Sequence, residues 1–527
     1  MGTEYDYIIV GSGAGGSTLA YRLARSGRVL VLEAGAPDDD PLHRMPKGHF
    51  LTMRGDAYAY RYPTVRVAGV GDTGDWVRGK VVGGGTTINA MIYSRGAEAD
   101  FEALARHAGS GHWGWDSFLA AYRAMEDHEL GASPSRGDGG PLGVSVPGVA
   151  DELAARLFEA GGKLGWEHVE DVNDGDGERI GFTPSTIRHG RRTSAADAFL
   201  RPALRAGVTL ETGVRAERVL FAGRRAVGVA CRRGGVAVEY RARKEVIIAG
   251  GAVESPLLLE RSGIGRPDLL RDLGIEVLAA APNVGERVIE QRIAMVQVRF
   301  GRELGVGAEL HALFRRDDLG AGGEPGADGL LGTSGYDITF HTKSEPHLAR
   351  PDLCGAVVPF PIDPAADGFQ PAGYPGMLIG LYQTRPETTG TIHSSMAGPS
   401  SPVIAPRFLE TGTDQRAASR ILGRIRALLG TAPLAEVIEA EDFPTGAVLS
   451  FPEPALDYVR RHGTSSSHAV GSCAMGPSDD DVLDAELRVR GVNGLRVVDA
   501  SAFPFQVSAN IGAPTMALAW LAADLFD

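Results

Sequence analysis

Residues 7–16 read YIIVGSGAGG, and this stretch decides the class of fold. A short, β-branched run, typical of a buried parallel strand, leads directly into a turn rich in glycine. Residues 18–25 then carry Leu and Ala at helical spacing, and Gly27 follows where a helix would end. Residues 29–32, VLVL, form a second predicted strand. The stretch therefore predicts a βαβ unit of the Rossmann-like kind.

The glycines of this turn have separate physical roles in binding a dinucleotide. Gly11 permits the tight turn, Gly13 lets the backbone approach a pyrophosphate, and Gly16 allows the helix and strand to pack closely. Glu33, at the end of the second strand, is placed to accept hydrogen bonds from both ribose hydroxyls. A glycine-rich turn in another α/β protein has the same bare pattern, which also does not separate FAD from NAD. The predicted dinucleotide contacts are Gly11, Ser12, Gly13, Ala14, Gly15, Gly16 and Glu33.

Two longer motifs separate these possibilities. Residues 76–96 read WVRGKVVGGGTTINAMIYSRG, where three successive glycines admit a closely bound ligand, although a flexible surface loop has a similar composition. Residues 250–265 read GGAVESPLLLERSGIG. Through these motifs the sequence resembles the glucose-methanol-choline oxidoreductase family over nearly its whole length. Further matches to that family lie at residues 111–115, 283–286, 385–390, 468–476 and 497–501.

The resemblance implies a bound FAD and further cofactor contacts. Residues 82–84 and 89–92 would lie along the isoalloxazine and ribityl chain, and Val214 would contact the adenine through its backbone. Ile88 stands where some relatives carry a histidine joined covalently to the flavin. Because isoleucine has no nucleophilic atom, we expect noncovalent FAD. The contacts implied by the resemblance are Ala34, Val82, Gly84, Asn89, Ala90, Met91, Ile92, Val214, Ala249, Gly250, Asp499, Ala500 and Ile511.

Two departures from the family pattern lie close to the expected substrate. Glu290-Gln291 stands where many relatives have an Asp-His pair, so the contacts made there differ from those of the family. Ser467 stands where an aromatic residue often precedes the catalytic histidine. The second departure predicts a wider or more polar pocket.

His468 and Asn510 are the predicted catalytic residues. Taken alone, a histidine in a serine-rich stretch is more often a surface or structural residue, and an asparagine before Gly512 and Pro514 often only shapes a turn. The resemblance implies that His468 is the base and Asn510 the second active-site residue, whose amide would hold the substrate oxygen. A neutral imidazole with a pKa near ~6.5 would accept the alcohol proton while the α-carbon passes a hydride to flavin N5.

Composition and charge argue against several other classes of protein. The 527 residues are 43% hydrophobic and 23% charged, as in an ordinary globular protein. The formal net charge of -13 has the wrong sign for a phosphate backbone, so we expect no nucleic-acid partner. Three separated cysteines, no leader before the first strand and no apolar run of about 18–20 residues predict a cytoplasmic protein without a membrane span. The histidines show no ligand spacing, so we expect no metal.

We expect two closely joined domains whose segments are interleaved along the chain. The predicted fold class is α/β (α+β overall): a Rossmann-like FAD-binding domain interleaved with a substrate domain built on an antiparallel sheet. Residues 377–382 and 391–393 are predicted strands of that sheet, and residues 317–329 a predicted exposed loop near the active-site entrance. The predicted FAD-binding segments are residues 1–150, 190–300 and 464–527, and the substrate-binding segments are residues 151–189 and 301–463.

The predicted function is oxidation of a small-molecule alcohol to a carbonyl, with oxygen or a quinone-type carrier as the electron acceptor. Aromatic or benzylic primary alcohols and sugar hydroxyls are both compatible with the sequence. A flavin-containing lyase, similar to the family's hydroxynitrile lyases, is the main alternative. A third hypothesis is a noncatalytic FAD-binding protein, in which the presence of His468 and Asn510 would be a coincidence.

Overall fold

Two large β-sheets organise the protein. The computed structural model describes residues 4–66, 70, 74–148, 150–315, 329–363, 366, 369–398, 401–443 and 452–526. Of the predicted loop at residues 317–329, all but the last residue lie outside these ranges.

The first sheet has seven strands and contains the predicted βαβ unit. Strand Glu4–Val10 lies between Val29–Leu32 and Val236–Ile248, and both pairings are parallel. All four residues of Val29–Leu32 are buried, as expected for a parallel strand covered on both faces. In spatial order the strands are Thr209–Glu211, Val29–Leu32, Glu4–Val10, Val236–Ile248, Arg225–Arg233 and Val214–Ala222, with Leu495–Val497 also paired to Val236–Ile248.

The helix of the βαβ unit begins earlier than the sequence predicted. It spans Ala14–Leu23 instead of residues 18–25, so the glycine turn and the helix overlap. Gly11 has a φ of +108° and reverses the chain, as only glycine does readily. A Cβ atom on Gly16 would lie 1.9 Å from the carbonyl oxygen of Gly11, so glycine at this position lets the helix start directly on the turn.

The second sheet has eight strands and is antiparallel apart from one edge pairing. The predicted strand at residues 377–382 lies within Gly376–Gln383 in the middle of this sheet. Only Glu167–His168 pairs in parallel, with Arg179–Phe182. In spatial order the strands are Ile438–Phe443, Arg292–Phe300, Gly376–Gln383, Leu353–Val358, Ile338–Thr342, Arg179–Phe182 and Glu167–His168, with Thr464–Ser465 also paired to Arg292–Phe300.

The predicted strand at residues 391–393 forms, but its placement in the large antiparallel sheet was wrong. Strand Thr391–His393 pairs with Val403–Ala405 in a separate two-stranded sheet. It packs against helix Gly251–Arg261, which directs it away from the eight-stranded sheet. The other two-stranded pairs are Ala59–Tyr62 with Trp76–Gly79, Glu126–His128 with Leu142–Val144, Ile187–Arg188 with Arg191–Arg192, and Ile264–Gly265 with Ala279–Ala280.

The α-helices surround the two sheets. Helix Gly512–Ala522 packs against Ala14–Leu23, so the carboxyl-terminal part of the chain lies next to the glycine turn. No helix in the described ranges is long and apolar enough to cross a membrane. The other α-helices are His49–Thr52, Gly85–Ile88, Glu98–Ala108, Trp115–Met125, Glu152–Lys163, Arg201–Arg205, Gly251–Arg261, Pro267–Asp272, Gly307–Phe314, Gly412–Leu429 and Pro452–His462.

The two sheets draw on alternating parts of the chain. Strands Arg292–Phe300 and Thr464–Ser465 belong to the eight-stranded sheet, although both lie inside segments predicted to be FAD-binding. Boundaries just before Arg292 and just after Ser465 would therefore match the sheets better. The division of the chain into two domains stays a prediction, since strand pairing alone does not define a domain.

Candidate active site

The glycine turn contacts two other segments of the chain. A Cβ atom on Gly11 would lie 2.3 Å from the carbonyl oxygen of Ala249, and one on Gly15 would lie 2.2 Å from that of Val498. Gly84 also lies close to the turn, since a Cβ atom on Gly84 would be 2.9 Å from Cα of Gly13. The predicted cofactor contacts that meet at this edge of the first sheet are Gly11, Ser12, Gly13, Gly15, Gly16, Gly84, Ala249, Gly250 and Asp499.

Gly13 differs from its neighbours because nothing in the protein requires a glycine there. A Cβ atom on Gly13 would meet no described atom within 4 Å, and its φ of -69° is accessible to any residue. A bare stretch of backbone at the start of a helix is what a closely approaching pyrophosphate needs. The space over Gly13, at the start of helix Ala14–Leu23, is therefore a groove that fits a dinucleotide such as FAD.

Glu33 links the glycine turn to the end of the second strand. Its Oε2 accepts hydrogen bonds from the backbone N–H and the hydroxyl of Ser12, at 3.0 and 2.6 Å, and its Oε1 accepts from Gly35 N–H at 2.7 Å. Burial raises the pKa of Glu33, and these donors oppose that rise. Oε1 keeps a lone pair for a ribose hydroxyl. Val214 lies beside it, since its N–H donates to the Glu33 carbonyl at 2.9 Å.

A cavity lies between the glycine-rich segment and the start of the final helix. Asn89, Ile92 and Gly512 contribute to its walls. Arg192 donates from Nη1 to Oδ1 of Asn89 at 2.8 Å, while its buried Nε and Nη2 have no partner among the described residues. Burial lowers the pKa of Arg192 to about 9. Arg192 thus holds a residue of the cavity wall and places a cation behind it.

His468 lies at the centre of a cluster of hydrogen bonds. Its Nδ1 lies 2.7 Å from Oε1 of Gln291, and its Nε2 lies 3.2 Å from Nδ2 of Asn510. The hydroxyl of Tyr382 donates to Oδ1 of Asn510 across 3.1 Å, and the Tyr382 and His468 rings lie 5.9 Å apart. The structure thus brings together the two predicted catalytic residues and adds two polar neighbours.

The direction of these hydrogen bonds sets the tautomer of the imidazole. Gln291 donates from Nε2 to the carbonyl oxygen of Thr384 at 2.8 Å, so its Oε1 accepts from Nδ1–H of His468. Tyr382 occupies Oδ1 of Asn510, which leaves Nδ2 of Asn510 to donate to Nε2 of His468. The neutral ring therefore carries its proton on Nδ1 and presents a lone pair at Nε2.

Buried surroundings keep the imidazole of His468 neutral. Burial and, to a smaller extent, the guanidinium of Arg78 lower the pKa of His468 to about 3. Glu290 accepts from the backbone N–H of His468 at 2.9 Å and pairs with Arg78 at 3.4 Å. Burial raises the pKa of Glu290, although Arg78 opposes this rise. The ring is therefore unprotonated throughout the range of about pH 5–8, and its pKa is lower than the ~6.5 expected from the sequence because burial disfavours the charged form.

The final helix holds Asn510 at its start. Helix Gly512–Ala522 begins two residues after Asn510, with Ile511 as the preceding cap. Pro514 occupies the third position of this helix, where its missing N–H leaves no hydrogen bond unmade. Asn510 therefore lies on the connection between the His468 cluster and the wall of the cavity at the start of the final helix.

Sequence reasoning did not identify Gln291, Tyr382, Glu290 or Arg78 as parts of this cluster. A signal existed for two of them, because Glu290-Gln291 is a departure from the family pattern and both side chains bind His468. Tyr382 lies in an apolar strand and resembled a core residue. In the part of the chain that the structure describes, no three His, Cys, Asp or Glu side chains are grouped to hold a metal.

This arrangement defines the class of protein. A Rossmann-like groove that fits a dinucleotide lies next to a cavity and to a neutral imidazole with an unprotonated Nε2, as in flavin-dependent oxidoreductases. Comparison with known families then identifies which one. The models described as GMC oxidoreductase match residues 5–293 and residues 386–519, so the chain belongs to the GMC oxidoreductase family.

Individual relatives extend over the whole chain. The oxygen-dependent choline dehydrogenase of Brucella anthropi is 33% identical, covering 99% of this chain and 95% of its own. The mitochondrial choline dehydrogenase of Homo sapiens is 35% identical, covering 99% of this chain and 89% of its own. Among solved structures, pyridoxine 4-oxidase from Mesorbium loti has a TM-score of 0.87 at 29% identity, covering 98% of each chain. Formate oxidase of Aspergillus oryzae has a TM-score of 0.87 at 22% identity, covering 99% and 98%, which shows the fold alone.

These findings confirm three predictions made from the sequence. The family is the one that the motifs indicated, and the α/β fold class is correct. The third confirmed prediction is the class of enzyme, because the protein is an FAD-dependent oxidoreductase that acts on alcohols.

Proposed function

We propose that this protein oxidises the CH–OH group of a small-molecule alcohol to a carbonyl, with His468 as the base and Asn510 holding the substrate oxygen. The observation that carries the proposal is the unprotonated Nε2 of His468, which lies 3.2 Å from the amide donor of Asn510. Relatives named for choline and pyridoxine support it, because both compounds carry primary alcohol groups.

The side chains of this cluster account for the proton transfer. An alcohol proton is too weakly acidic to leave unaided, so a base is needed within hydrogen-bond reach. Nε2 of His468 accepts that proton, and Oε1 of Gln291 stabilises the imidazolium through Nδ1–H. The alcohol replaces the amide of Asn510 as the hydrogen-bond donor to Nε2, and Asn510 Nδ2 then donates to the developing alkoxide and stabilises it. When bound, FAD supplies the hydride acceptor at N5.

FAD is held without a covalent bond in this proposal. Ile88 is 4% exposed and packs with Ala59 and Val81, so it fills space at the position where some relatives have a nucleophile. The residues proposed to hold FAD are Gly11, Ser12, Gly13, Ala14, Gly15, Gly16, Glu33, Ala34, Val82, Gly84, Asn89, Ala90, Met91, Ile92, Val214, Ala249, Gly250, Asp499, Ala500 and Ile511.

Oxygen or a quinone-type carrier is the proposed electron acceptor. The name of the Brucella relative, oxygen-dependent choline dehydrogenase, supports oxygen. A cytoplasmic location belongs to the same proposal. It is supported by Cys231, Cys354 and Cys473, which are all buried and free, as is usual in a reducing compartment.

Anaerobic mixing of the holoenzyme with a broad set of alcohols tests the proposed function. Alcohols that are substrates should bleach the flavin absorbance, and an oxygen electrode then shows whether oxygen restores it. Flavin that stays oxidised while a substrate undergoes C–C cleavage would identify a lyase instead. If no alcohol in a set of benzylic, aliphatic and sugar compounds bleaches the flavin, the proposed function is wrong.

Replacing Gln291 by glutamate should make flavin reduction sensitive to acid. A carboxylate near Nδ1 favours the imidazolium and raises the pKa of His468 above its value of about 3. Only the neutral ring accepts a proton, so the reduction rate of Gln291→Glu should fall as the pH drops through the raised pKa. The wild-type rate should stay level between about pH 5 and pH 8. Stopped-flow reduction at several pH values measures both profiles.

Gln415→Glu is the matched control for this prediction. Gln415 lies on helix Gly412–Leu429 and donates to the carbonyl of Leu409, away from the catalytic cluster. Its variant should keep the wild-type pH profile. An unchanged profile in Gln291→Glu would show that Gln291 does not control the protonation of His468.

A further inference from the structure

A second cavity lies beside the His468 cluster and carries a concentration of positive charge. Three guanidinium groups line it. They share the walls with an imidazole and three hydroxyl-bearing side chains. These residues include Arg179, Arg350, Arg385, His341, Thr384 and Ser508.

A row of side chains on the eight-stranded sheet joins this cavity to the catalytic cluster. Tyr382 pairs with Cys354, Cys354 with His341, and His341 with Arg179 on successive neighbouring strands. Directly paired residues project from the same face of a sheet. The row therefore runs from Tyr382, which binds Asn510, to Arg179 in the cavity wall. Three strand spacings amount to about 14 Å between the backbones at its ends.

Arg385 provides a second, shorter connection. Its Nη1 donates to the hydroxyl of Ser508 at 2.6 Å, and Ser508 precedes Asn510 by two residues. Thr384 also lines the cavity, and its carbonyl oxygen accepts from Nε2 of Gln291. The walls of the cavity are thus continuous with the residues that hold His468 and Asn510.

The positive charge of the cavity is only partly balanced by its surroundings. Asp171, Asp174 and Asp176 act on Arg179, and Asp100 and Asp352 act on Arg385. Within the described ranges, neither Arg179 nor Arg385 forms an ion pair, and both donate only to backbone carbonyls and hydroxyls. Arg350 pairs with Asp100 at 2.5 Å, but its buried Nη1 has no partner. Asp176, which is exposed, is the one carboxylate in the described wall. The three arginine side chains are half-buried, and the buried Nη1 of Arg350 leaves a cationic donor for an anion to satisfy.

The pKa values of two of these arginines are lowered, although nearby carboxylates oppose the shift. Burial lowers the pKa of Arg179, and it also lowers the pKa of Arg385. Arg350 lowers the pKa of Arg385 further, because the two cations repel each other. An anion bound between them would relieve both effects.

We propose that this cavity binds the anionic group, a carboxylate or a phosphate, of an alcohol substrate whose hydroxyl lies at His468. The planar guanidinium group matches the geometry of both anions and binds them through paired hydrogen bonds. The inference rests on the proposed function and narrows its substrate class. It separates this chain from relatives named for choline, which is a cation.

Matched alcohols that differ only in charge test the proposal on the holoenzyme. The series is para-hydroxymethylbenzoate, its neutral amide, its trimethylammonium analogue and the corresponding phenyl phosphate, together with ω-hydroxy acids of increasing chain length and their amides. Charged hydrogen bonds to the arginines should lower the KM of an acid about tenfold or more below that of its amide. Whichever of the carboxylate and the phosphate has the lower KM is the anion that the cavity binds.

Two variants assign the effect to the cavity. Arg179→Gln should remove most of the preference for acid over amide by raising the KM of the acid, while the maximal reduction rate of the amide stays within a few-fold of wild type. Arg271→Gln is the matched control, since Arg271 is exposed on helix Pro267–Asp272, outside the cavity. It should retain the wild-type preference. The wild-type comparison of acid with amide needs no variant and stands even if Arg179→Gln folds poorly.

A turnover-independent measurement separates this inference from the proposed function. Benzoate and benzamide, and alkanoates with their amides, are titrated into the oxidised holoenzyme and followed by the perturbation of the flavin spectrum. Acids that bind more tightly than amides support the site even if no alcohol reduces the flavin, an outcome that would reject only the proposed function. The inference is overturned if the enzyme oxidises alcohols but prefers the amides or the ammonium compounds to the acids, or oxidises all three kinds equally well. The proposed function would still stand in that case.

Discussion

Alanine in place of His468 should slow reduction of the bound flavin by about 10²- to 10⁴-fold, the usual contribution of a positioned general base. The fold and FAD content should be retained, because the neighbouring Gln506 and Glu290 bind the backbone of His468, which the substitution leaves in place. Stopped-flow absorbance under anaerobic conditions gives the reduction rate, and the flavin-to-protein absorbance ratio gives the FAD content.

The matched control for this change is His462→Ala. His462 is exposed at the end of helix Pro452–His462 and its ring packs beside Tyr458, so the variant should reduce its flavin at the wild-type rate. A His468→Ala enzyme that reduces its flavin within about threefold of wild type at saturating alcohol would remove His468 from the role of base.

Valine in place of Gly13 should abolish retention of FAD while leaving the apoprotein as stable as wild-type apoprotein. The Cβ atom of the new side chain would meet no described atom within 4 Å beyond its chain neighbours, and the φ of -69° suits any residue. The same space is where a pyrophosphate would approach the helix start. The variant should therefore be purified colourless, and titration with FAD should show an affinity at least about a hundredfold weaker, since backbone N–H contacts to a charged group are strong.

Two further glycine variants show whether the effect belongs to the ligand or to the fold. Gly162→Val adds the same side chain on the exposed face of helix Glu152–Lys163, where it also meets nothing within 4 Å, and should retain FAD. Gly16→Ala should instead lower the melting temperature of the apoprotein, because its Cβ would lie 1.9 Å from the carbonyl oxygen of Gly11. A Gly13→Val protein that retains FAD normally would show that the cofactor does not pass over this position.

The fold was most predictable where the chain pairs with its own near neighbours. The two parallel strands around the glycine turn, Glu4–Val10 and Val29–Leu32, were expected from continuous apolar runs and form as predicted. The helix between them starts four residues earlier than periodicity suggested, because Gly15 and Gly16 fit inside a helix when tight packing demands small residues. Strand Thr391–His393 was assigned to the wrong sheet, since the sequence of a three-residue strand does not specify which strand it pairs with.

The candidate site was predictable in its residue types but not in its geometry. His468 and Asn510 were identified through family motifs, and the structure places them 3.2 Å apart. Gln291 was noted only as a departure from the family pattern, although it sets the tautomer of the imidazole. The arginine-lined cavity gave no sequence signal at all, because Arg179, Arg350 and Arg385 come from distant strands and loops and have no common spacing.

By itself, the chain's order of residues determined the βαβ unit, the nucleotide groove and membership of the family, since these depend on glycines and apolar residues within short, recognisable stretches. Only the tertiary structure decided which ring nitrogen of His468 is unprotonated and which side chains surround the ring. Its two ring partners lie 177 and 42 positions away in the chain, and the tyrosine that orients one of them lies 128 positions from it. Contacts over such separations arise from the packing of the two sheets, and a hydrogen-bond direction is defined only once all its partners are in place.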